Sequence, residues 1–304
     1  MPPRRSCVRR SPSGWAWLPP RRSRWSWSDV DAVTWARTLL FVPGDRPGRF
    51  AKAAASGADG VILDLEDAVA PPDKDEARSH VAQWLGGGSQ AVVRVNALGS
   101  AWFAEDVAAL RGTSCTIMLP KASADGVAAV IDSLGELNPI LALVETAAGV
   151  TEASSICVLP EVIRLAFGSI DFGNEIGVAA DDREALLHAR STLVLASAAA
   201  GLAPPLDGVT TDLTSGEPAR SDAAYASRLG FTGKLCIHPV QVEPVNSAFM
   251  PGPAQVSWAR AVLDASAGGA SKVDGHMVDA PVLERARRLL DRHDRALPTD
   301  GQNR

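Results

Sequence analysis

The chain has 304 residues, of which 46% are hydrophobic and 21% charged, with a formal net charge of −5. That composition describes a globular protein able to bury a core and excludes an intrinsically disordered chain. No apolar run approaches the roughly 18 residues that a membrane span needs, and the four cysteines, Cys7, Cys115, Cys157 and Cys236, form no C-x-x-C pair. They read as reduced thiols of a cytoplasmic protein, without a zinc site or a disulfide framework.

The charge is uneven. Residues 1–36 hold seven Arg against Asp29 and Asp31, a local +5, together with five of the eight Trp, so the rest of the chain carries −10. Pro and Ser separate these residues and no helical or strand period links them, so the segment reads as a disordered leader outside the fold. Trp15 to Leu18 is too short for the apolar stretch of a signal peptide. Neither nucleic acid nor membrane is expected as a partner.

From Arg37 onward, short apolar runs alternate with amphipathic stretches. Strands are predicted at Thr38–Val42, Gly60–Glu66, Ala91–Asn96, Cys115–Lys121, Ile140–Thr146, Arg164–Asp171, Pro205–Val209 and Lys234–His238. Continuous apolar runs of this length suit strands covered on both faces of a parallel sheet. Helices are predicted at Asp73–Leu85, Ala101–Leu110 and Asp182–Ala200, the last opened by Asp181 or Asp182 as cap and closed by Gly201. Eight such units favour an α/β fold of the (β/α)8 TIM-barrel type over residues 37–264. There is no G-x-G-x-x-G after the first strand and no Walker loop, so the dinucleotide and P-loop readings lose their main support. The Gly/Ala/Ser stretch Ala265–Ser271 leads into a C-terminal helical extension, residues 265–304, with a helix predicted at Val282–Arg292.

Polar residues interrupt or end these runs. Asp64, Glu66 and Asp67 close the second, Arg94 lies in the third, and Pro120-Lys121 ends the fourth. Glu145 ends the fifth and Asp171 the sixth; Asp207 sits in the seventh, and His238 ends the eighth. In a (β/α)8 barrel these ends converge on one mouth, where chemistry takes place. Taken singly, an Asp at a strand end is commonly a helix cap, Lys121 reads as a surface residue, and His238 as a turn or a pocket residue. Gathered together, carboxylates without Cys and with few His make a hard-oxygen site suited to Mg²⁺, with Mn²⁺ the alternative. Glu145 and Asp171, on adjacent strands, suit an ion that takes one or two protein carboxylates. Arg94 presents a planar fork matching a carboxylate or a developing enolate oxygen.

The strings Arg-Thr-Leu-Leu-Phe-Val-Pro-Gly-Asp-Arg-Pro (37–47), Gly-Val-Ile-Leu-Asp-Leu-Glu-Asp-Ala-Val (60–69), Val-Arg-Val-Asn (93–96), Leu-Pro-Lys (119–121), Val-Glu-Thr-Ala (144–147), Phe-Gly-Ser-Ile-Asp-Phe (167–172), Gly-Lys-Leu-Cys-Ile-His-Pro (233–239) and Met-Val-Asp-Ala-Pro (277–281) together resemble the citrate lyase β-subunit (CitE-like) family. That family belongs to the HpcH/HpaI aldolase group, close to the citramalyl-CoA and malyl-CoA lyases. The resemblance runs in order from about Arg37 to Arg292. It implies a Mg²⁺-dependent carbon–carbon lyase acting on a CoA thioester and releasing a small 2-oxo acid. Glu145 and Asp171 would hold the metal, and Arg94 would contact the substrate, with Glu145, Asp64 and Glu66 beside it. Phe41 would lie against CoA, and Lys52 would meet its phosphates. Asp279 would be an acid/base delivered by a neighbouring subunit, which implies a homo-oligomer (trimer or hexamer). Where some relatives carry a second lysine, this chain has Gly48. Two alternatives stand beside this reading: the β-subunit of a citrate lyase complex working with partner subunits and an acyl-carrier protein, and a non-catalytic acyl-CoA-binding barrel.

Overall fold

The computed structural model describes residues 32–135, 138–267, 272–273 and 276–296. In chain order the elements are β1 (Thr38–Pro43), α1 (Phe50–Ala54), β2 (Gly60–Asp64), α2 (Lys74–Gly86), β3 (Val92–Arg94), α3 (Phe103–Ala109), β4 (Thr116–Leu119), α4 (Ala124–Leu134), β5 (Ile140–Val144), α5 (Ala147–Thr151), α6 (Ala153–Cys157) and β6 (Val162–Phe167). There follow α7 (Ser169–Ile176), α8 (Leu187–Ala200), β7 (Leu206–Asp207), α9 (Glu217–Leu229), β8 (Gly233–Cys236), α10 (Val242–Phe249), α11 (Pro253–Ala267), β9 (Lys272–Val273), β10 (His276–Met277) and α12 (Ala280–Ala296). Strands β1 to β8 close into one parallel barrel. Its seam is the pairing of Thr38–Leu40 with Lys234–Cys236. The predicted (β/α)8 fold is what the chain adopts. No helix among the described residues is long and apolar enough to cross a membrane.

Two cores follow from the two-residue period of a strand. Leu39, Ile62, Val92, Met118, Leu141, Ala166, Leu206 and Leu235 point inward and fill the barrel, while Leu40, Leu63, Val93, Ile117, Ala142 and Leu165 point outward against the helices. A third, smaller cluster joins α11 to α12 through Ala259, Val262, Ala286 and Leu289. The cysteines Cys115, Cys157 and Cys236 are buried and unpaired, and burial pushes their thiols up to about 11, 11 and 12, so they act as small hydrophobes. Cys7 lies outside the described residues.

The helix expected at Asp182–Ala200 starts later, at Leu187. The Asp182 carboxylate instead accepts the Glu184 and Ala185 N–H groups and closes the preceding turn. The boundary drawn at Arg37 also moves. Residues 32–35 are helical, and Val33, Thr34 and Ala36 are buried beneath the barrel. Arg164, the inward residue one pleat below Ala166, explains why. It is fully buried, burial pushes it down to about 9, and its guanidinium donates to the carbonyls of Val33, Ala36 and Pro204 and to Thr232 Oγ1. Residues 33–36 therefore satisfy a buried cation. Deleting residues 1–31 should leave the melting temperature unchanged. Deleting residues 1–36 removes two acceptors from Arg164 and should destabilise the protein by about 3 kcal/mol or more, measured by denaturant unfolding of the two truncations.

Candidate active site

The inward period carries polar residues to the C-terminal mouth of the barrel. Phe41 follows Leu39, Asp64 follows Ile62, Arg94 follows Val92, and Glu145 follows Leu143, each two residues on and on the same face. Asp64 and Arg94 are register partners across β2 and β3. The Arg94 guanidinium donates to both Asp64 oxygens, Nε to Oδ1 at 2.7 Å and Nη2 to Oδ2 at 2.6 Å. Its Nη1 lies 2.9 Å from Glu66 Oε2 and 3.8 Å from Asp67 Oδ2. The Phe41 ring covers the guanidinium face at 4.9 Å, a cation–π contact that blocks rotation out of plane. Burial alone would weaken the charge, but the bonds to Asp64 and the neighbouring carboxylates outweigh it and hold Arg94 firmly protonated.

Asp64 is 1% exposed and also accepts the Glu66 and Ala68 N–H groups. All its lone pairs face the protein, so it positions Arg94 and is not free to meet a substrate as the sequence reading expected. The loop bearing Glu66 is fixed from below. Lys74, in the first turn of α2, donates to the carbonyls of Leu65 and Glu66 and to Asn96 Oδ1, at 2.6, 2.7 and 2.8 Å. Asn96 in turn donates to Leu65 O and to buried Asp106.

Glu145 follows β5 directly and precedes Thr146, whose hydroxyl caps α5 by accepting the Gly149 N–H. Only 4% of Glu145 is exposed. Its Oε1 accepts the Lys121 backbone N–H at 2.9 Å, and its Oε2 lies on the Gly168 side. Gly168 makes this placement feasible, because a Cβ there would fall 2.5 Å from Glu145 Oε2 and 2.3 Å from its Cβ. Asp171 does not end a strand: β6 stops at Phe167, and Asp171 lies in the first turn of α7. It still turns toward the mouth, with Oδ2 4.0 Å from Lys121 Nζ, which is also 3.8 Å from Glu66 Oε1. Lys121 is exposed, as the surface reading expects, and stands in the left-handed region at φ 47. That conformation costs a residue with a Cβ about 1 kcal/mol; the N–H goes to Glu145 and the ammonium stands near Glu66 and Asp171.

Asp207 and His238 leave the array. Both are one residue out of phase with the inward Leu206 and Leu235. Asp207 faces outward to Arg190 of α8 at 2.8 Å and Lys234 at 3.6 Å. His238 is exposed, and its Nδ1 accepts the Val240 N–H in a capping box with Gln241. Lys52 is exposed on α1. Asp279 is exposed and caps α12, its carboxylate accepting the Val282 N–H at 3.2 Å. None of its recorded contacts is to the residues at the mouth of its own chain.

The electrostatics mark the site as short of positive charge. Burial, then repulsion from Glu66 and Asp171, lifts Glu145 to about 8 against the opposing Lys121 N–H and Arg94. Burial, with Asp67 and Asp64 adding to it, lifts Glu66 to about 7 in spite of Arg94 and Lys121. Among the described residues no three His, Cys, Asp or Glu side chains close on one point. The donor set fits an ion that takes one or two carboxylates and fills its shell with water and ligand oxygens. Protons and such a cation compete for the same oxygens. Divalent-cation affinity should therefore fall about tenfold per pH unit for each proton displaced as pH drops below about 8, and should level off above it. Because these carboxyls hold their protons more tightly folded than unfolded, the cation-free protein should lose stability as pH rises from about 4.5 toward 8. Calorimetric titration across that range, in buffers of different ionisation heat, reads both the affinity and the protons released.

An arginine locked beside carboxylates, with Glu145 and Asp171 near it at the mouth of a (β/α)8 barrel, has the chemistry to accept an anionic substrate and a divalent cation. Comparison with known proteins agrees. Residues 37–239 match the HpcH/HpaI aldolase/citrate lyase family, and the chain belongs to that family. The citrate lyase subunit beta-like protein of Mycobacterium tuberculosis is 41% identical over 264 residues, 83% of this chain and 94% of that protein. A (3S)-malyl-CoA thioesterase of Cereibacter sphaeroides is 33% identical over 267 residues, 84% of this chain and 93% of that one. Among solved structures, Mycobacterium tuberculosis CitE in complex with magnesium, acetoacetate and coenzyme A superposes with a TM-score of 0.75 at 38% identity, covering 85% of this chain and 98% of that one.

Proposed function

We propose that this chain is a Mg²⁺-dependent lyase that cleaves a 3-hydroxyacyl-CoA thioester, such as citramalyl-CoA or malyl-CoA, into acetyl-CoA and a 2-oxo acid. The observation that carries the reading is the state of Arg94. Two of its five N–H donors are directed to Asp64, Glu66 Oε2 lies 2.9 Å from Nη1 as an ion pair, and one face is against Phe41, so the remaining donors are held in a fixed direction at the barrel mouth. On this reading Glu145 and Asp171 hold the metal, with Mn²⁺ able to substitute. When bound, the metal supplies Lewis-acid polarisation of the oxo-acid oxygens.

The residues then divide the remaining work. Arg94 donates to the oxygen on which charge develops as the carbon–carbon bond breaks, and its rigid mounting means little reorganisation at that moment. Lys121 and Arg94 offer cationic donors to the substrate's carboxylate. Lys52, exposed on α1, offers its ammonium to CoA phosphates, and Phe41 gives the thioester arm an apolar edge. Asp279 protonates the acetyl carbon as it leaves while the substrate's 3-hydroxyl proton passes to solvent, and in the condensing direction Asp279 removes the carbon proton. On this reading Asp279, which caps α12 in its own chain, is supplied to the site of a neighbouring subunit, as the family resemblance implies, and the working form is a homo-oligomer, a trimer or hexamer.

Assay of the purified chain with citramalyl-CoA, malyl-CoA and citryl-CoA tests the reading. Appearance of acetyl-CoA with a 2-oxo acid is the expected result; release of free CoA without cleavage would move the chain to thioester hydrolysis, as named for the Cereibacter relative. A second reading, the β-subunit of a citrate lyase complex, draws on the name of the Mycobacterium relative, and turnover of free CoA thioesters by the chain alone would end it. Asp279→Asn should retain substrate binding while kcat falls by about 10²-fold or more. Mixing Asp279→Asn with Glu145→Gln protomers should restore part of the activity, and no restoration after subunit exchange would remove the intersubunit role.

A further inference from the structure

At the pole opposite the catalytic mouth, residues 32–37, the end of α8, the segments entering β7 and β8, and α12 enclose a cavity of about 820 Å³. That is the size of a site for a small organic molecule. Five arginines line it. Arg37 is neutralised by Asp59 at 2.8 Å, and Arg288 by Glu284 at 3.0 Å. The other three have no carboxylate partner among the described residues. Arg292 donates to the Phe249 carbonyl at 2.7 Å, Arg295 lies 4.5 Å over the Trp35 ring, and Arg287 faces the wall alone. Asp291 is the one lining acid outside these ion pairs, which leaves an excess of two positive charges.

The plain alternative is a helix with cations near its C-terminus, where the dipole favours them. That accounts for basic residues in the last turns of α12. It does not account for three guanidinium groups without a carboxylate partner, one of them half-buried, around a concave wall that also presents Val194, Leu202 and Phe249. Burial also works against the charge of Arg292, and a bound anion would relieve it. The spacing points to an extended anion. Arg287, Arg292 and Arg295 rise along the helix by steps of roughly 7.5 and 4.5 Å, so their long side chains converge on the cavity from a span wider than one carboxylate fills, and phosphate oxygens fit guanidinium forks.

We propose that this cavity is a binding site for a small polyanion bearing a pyrophosphate group, separate from the catalytic mouth. The test is calorimetric titration of the full-length chain with inorganic pyrophosphate, at low ionic strength and without divalent cations. One site per chain is expected, weakening as salt is added. Arg287→Gln/Arg295→Gln, both exposed positions, should weaken binding at least tenfold with the melting temperature unchanged. Arg292→Gln should do the same; if it fails to fold, the exposed pair still decides. Lys52→Gln/Lys121→Gln, at the mouth and its rim, should bind pyrophosphate as the parent does. No binding by the parent, unchanged binding in Arg287→Gln/Arg295→Gln, or a loss in Lys52→Gln/Lys121→Gln would overturn the proposal.

Discussion

Glu145→Ala and Asp171→Ala should each abolish Mg²⁺-dependent turnover, a fall of about 10³-fold or more in kcat, while the protein stays folded. The reason is the balance of charge at the mouth. Glu145 is lifted to about 8 by burial and by the carboxylates beside it, so it contributes little to holding the cation-free fold together. Removing it relieves repulsion with Glu66 and Asp171 and orphans one donor, the Lys121 N–H, at a cost of about 1 kcal/mol. Glu145→Gln separates the two effects. Its side-chain oxygen still accepts that N–H, so stability should match the parent, yet the neutral amide is a poor ligand and turnover should remain lost. Circular dichroism and thermal unfolding report the fold, and calorimetry with Mg²⁺ reports the site. Full activity in either alanine variant would refute the proposed metal assignment.

The second large effect is expected at Arg94, and there fold and function fall together. Arg94→Ala leaves Asp64 buried at 1% exposure with its two charge-assisted bonds gone. Stranding a buried carboxylate in this way costs about 3 kcal/mol, softened here because Asp64 keeps the Glu66 and Ala68 N–H groups. Turnover should fall by about 10³-fold. Arg94→Lys isolates the chemistry: it keeps the charge near Asp64 but has no planar fork to rest on Phe41 and reach two acceptors at once. It should fold with a loss of about 1 kcal/mol and lose about 10²-fold in kcat, with KM less affected. Equal kcat in Arg94→Lys would show that charge alone, and not its fixed direction, is what the site uses.

Much of this architecture was legible from Arg37 onward. Eight apolar runs alternating with amphipathic stretches specified the (β/α)8 barrel, because strands covered on both faces must be apolar throughout and helices covered on one face need only a stripe. The two-residue period was also readable, and it separates residues that the strand-end array grouped together. Arg94, Asp64 and Glu145 are in phase with the inward Val92, Ile62 and Leu143, whereas Asp207 and His238 are out of phase with Leu206 and Leu235. Lys74 carried a usable signal as well, a cation in a helix's first turn, where the dipole disfavours it; its three buried acceptors explain that placement.

Other features became visible only with the chain folded, since they depend on atoms far apart in sequence. Lys121 enters the site through a left-handed backbone angle that no residue type announces. Gly168 matters because Glu145, more than twenty positions earlier, occupies the space its Cβ would take. Residues 33–36 belong to the fold because Arg164, from the sixth strand, needs their carbonyls.

The proposed metal pair, Glu145 and Asp171, shows the division most clearly. Sequence alone determined that two carboxylates would follow adjacent strands of a parallel barrel, because burial pattern and strand period are local properties. Tertiary structure decided that Asp171 reaches the mouth from the first turn of a helix and that Asp64 serves Arg94. It also decided that Glu145 is held by the backbone of Lys121. Hydrogen-bond partners across the barrel are set by how strands stagger and loops turn, and that geometry exists only once the chain has closed on itself.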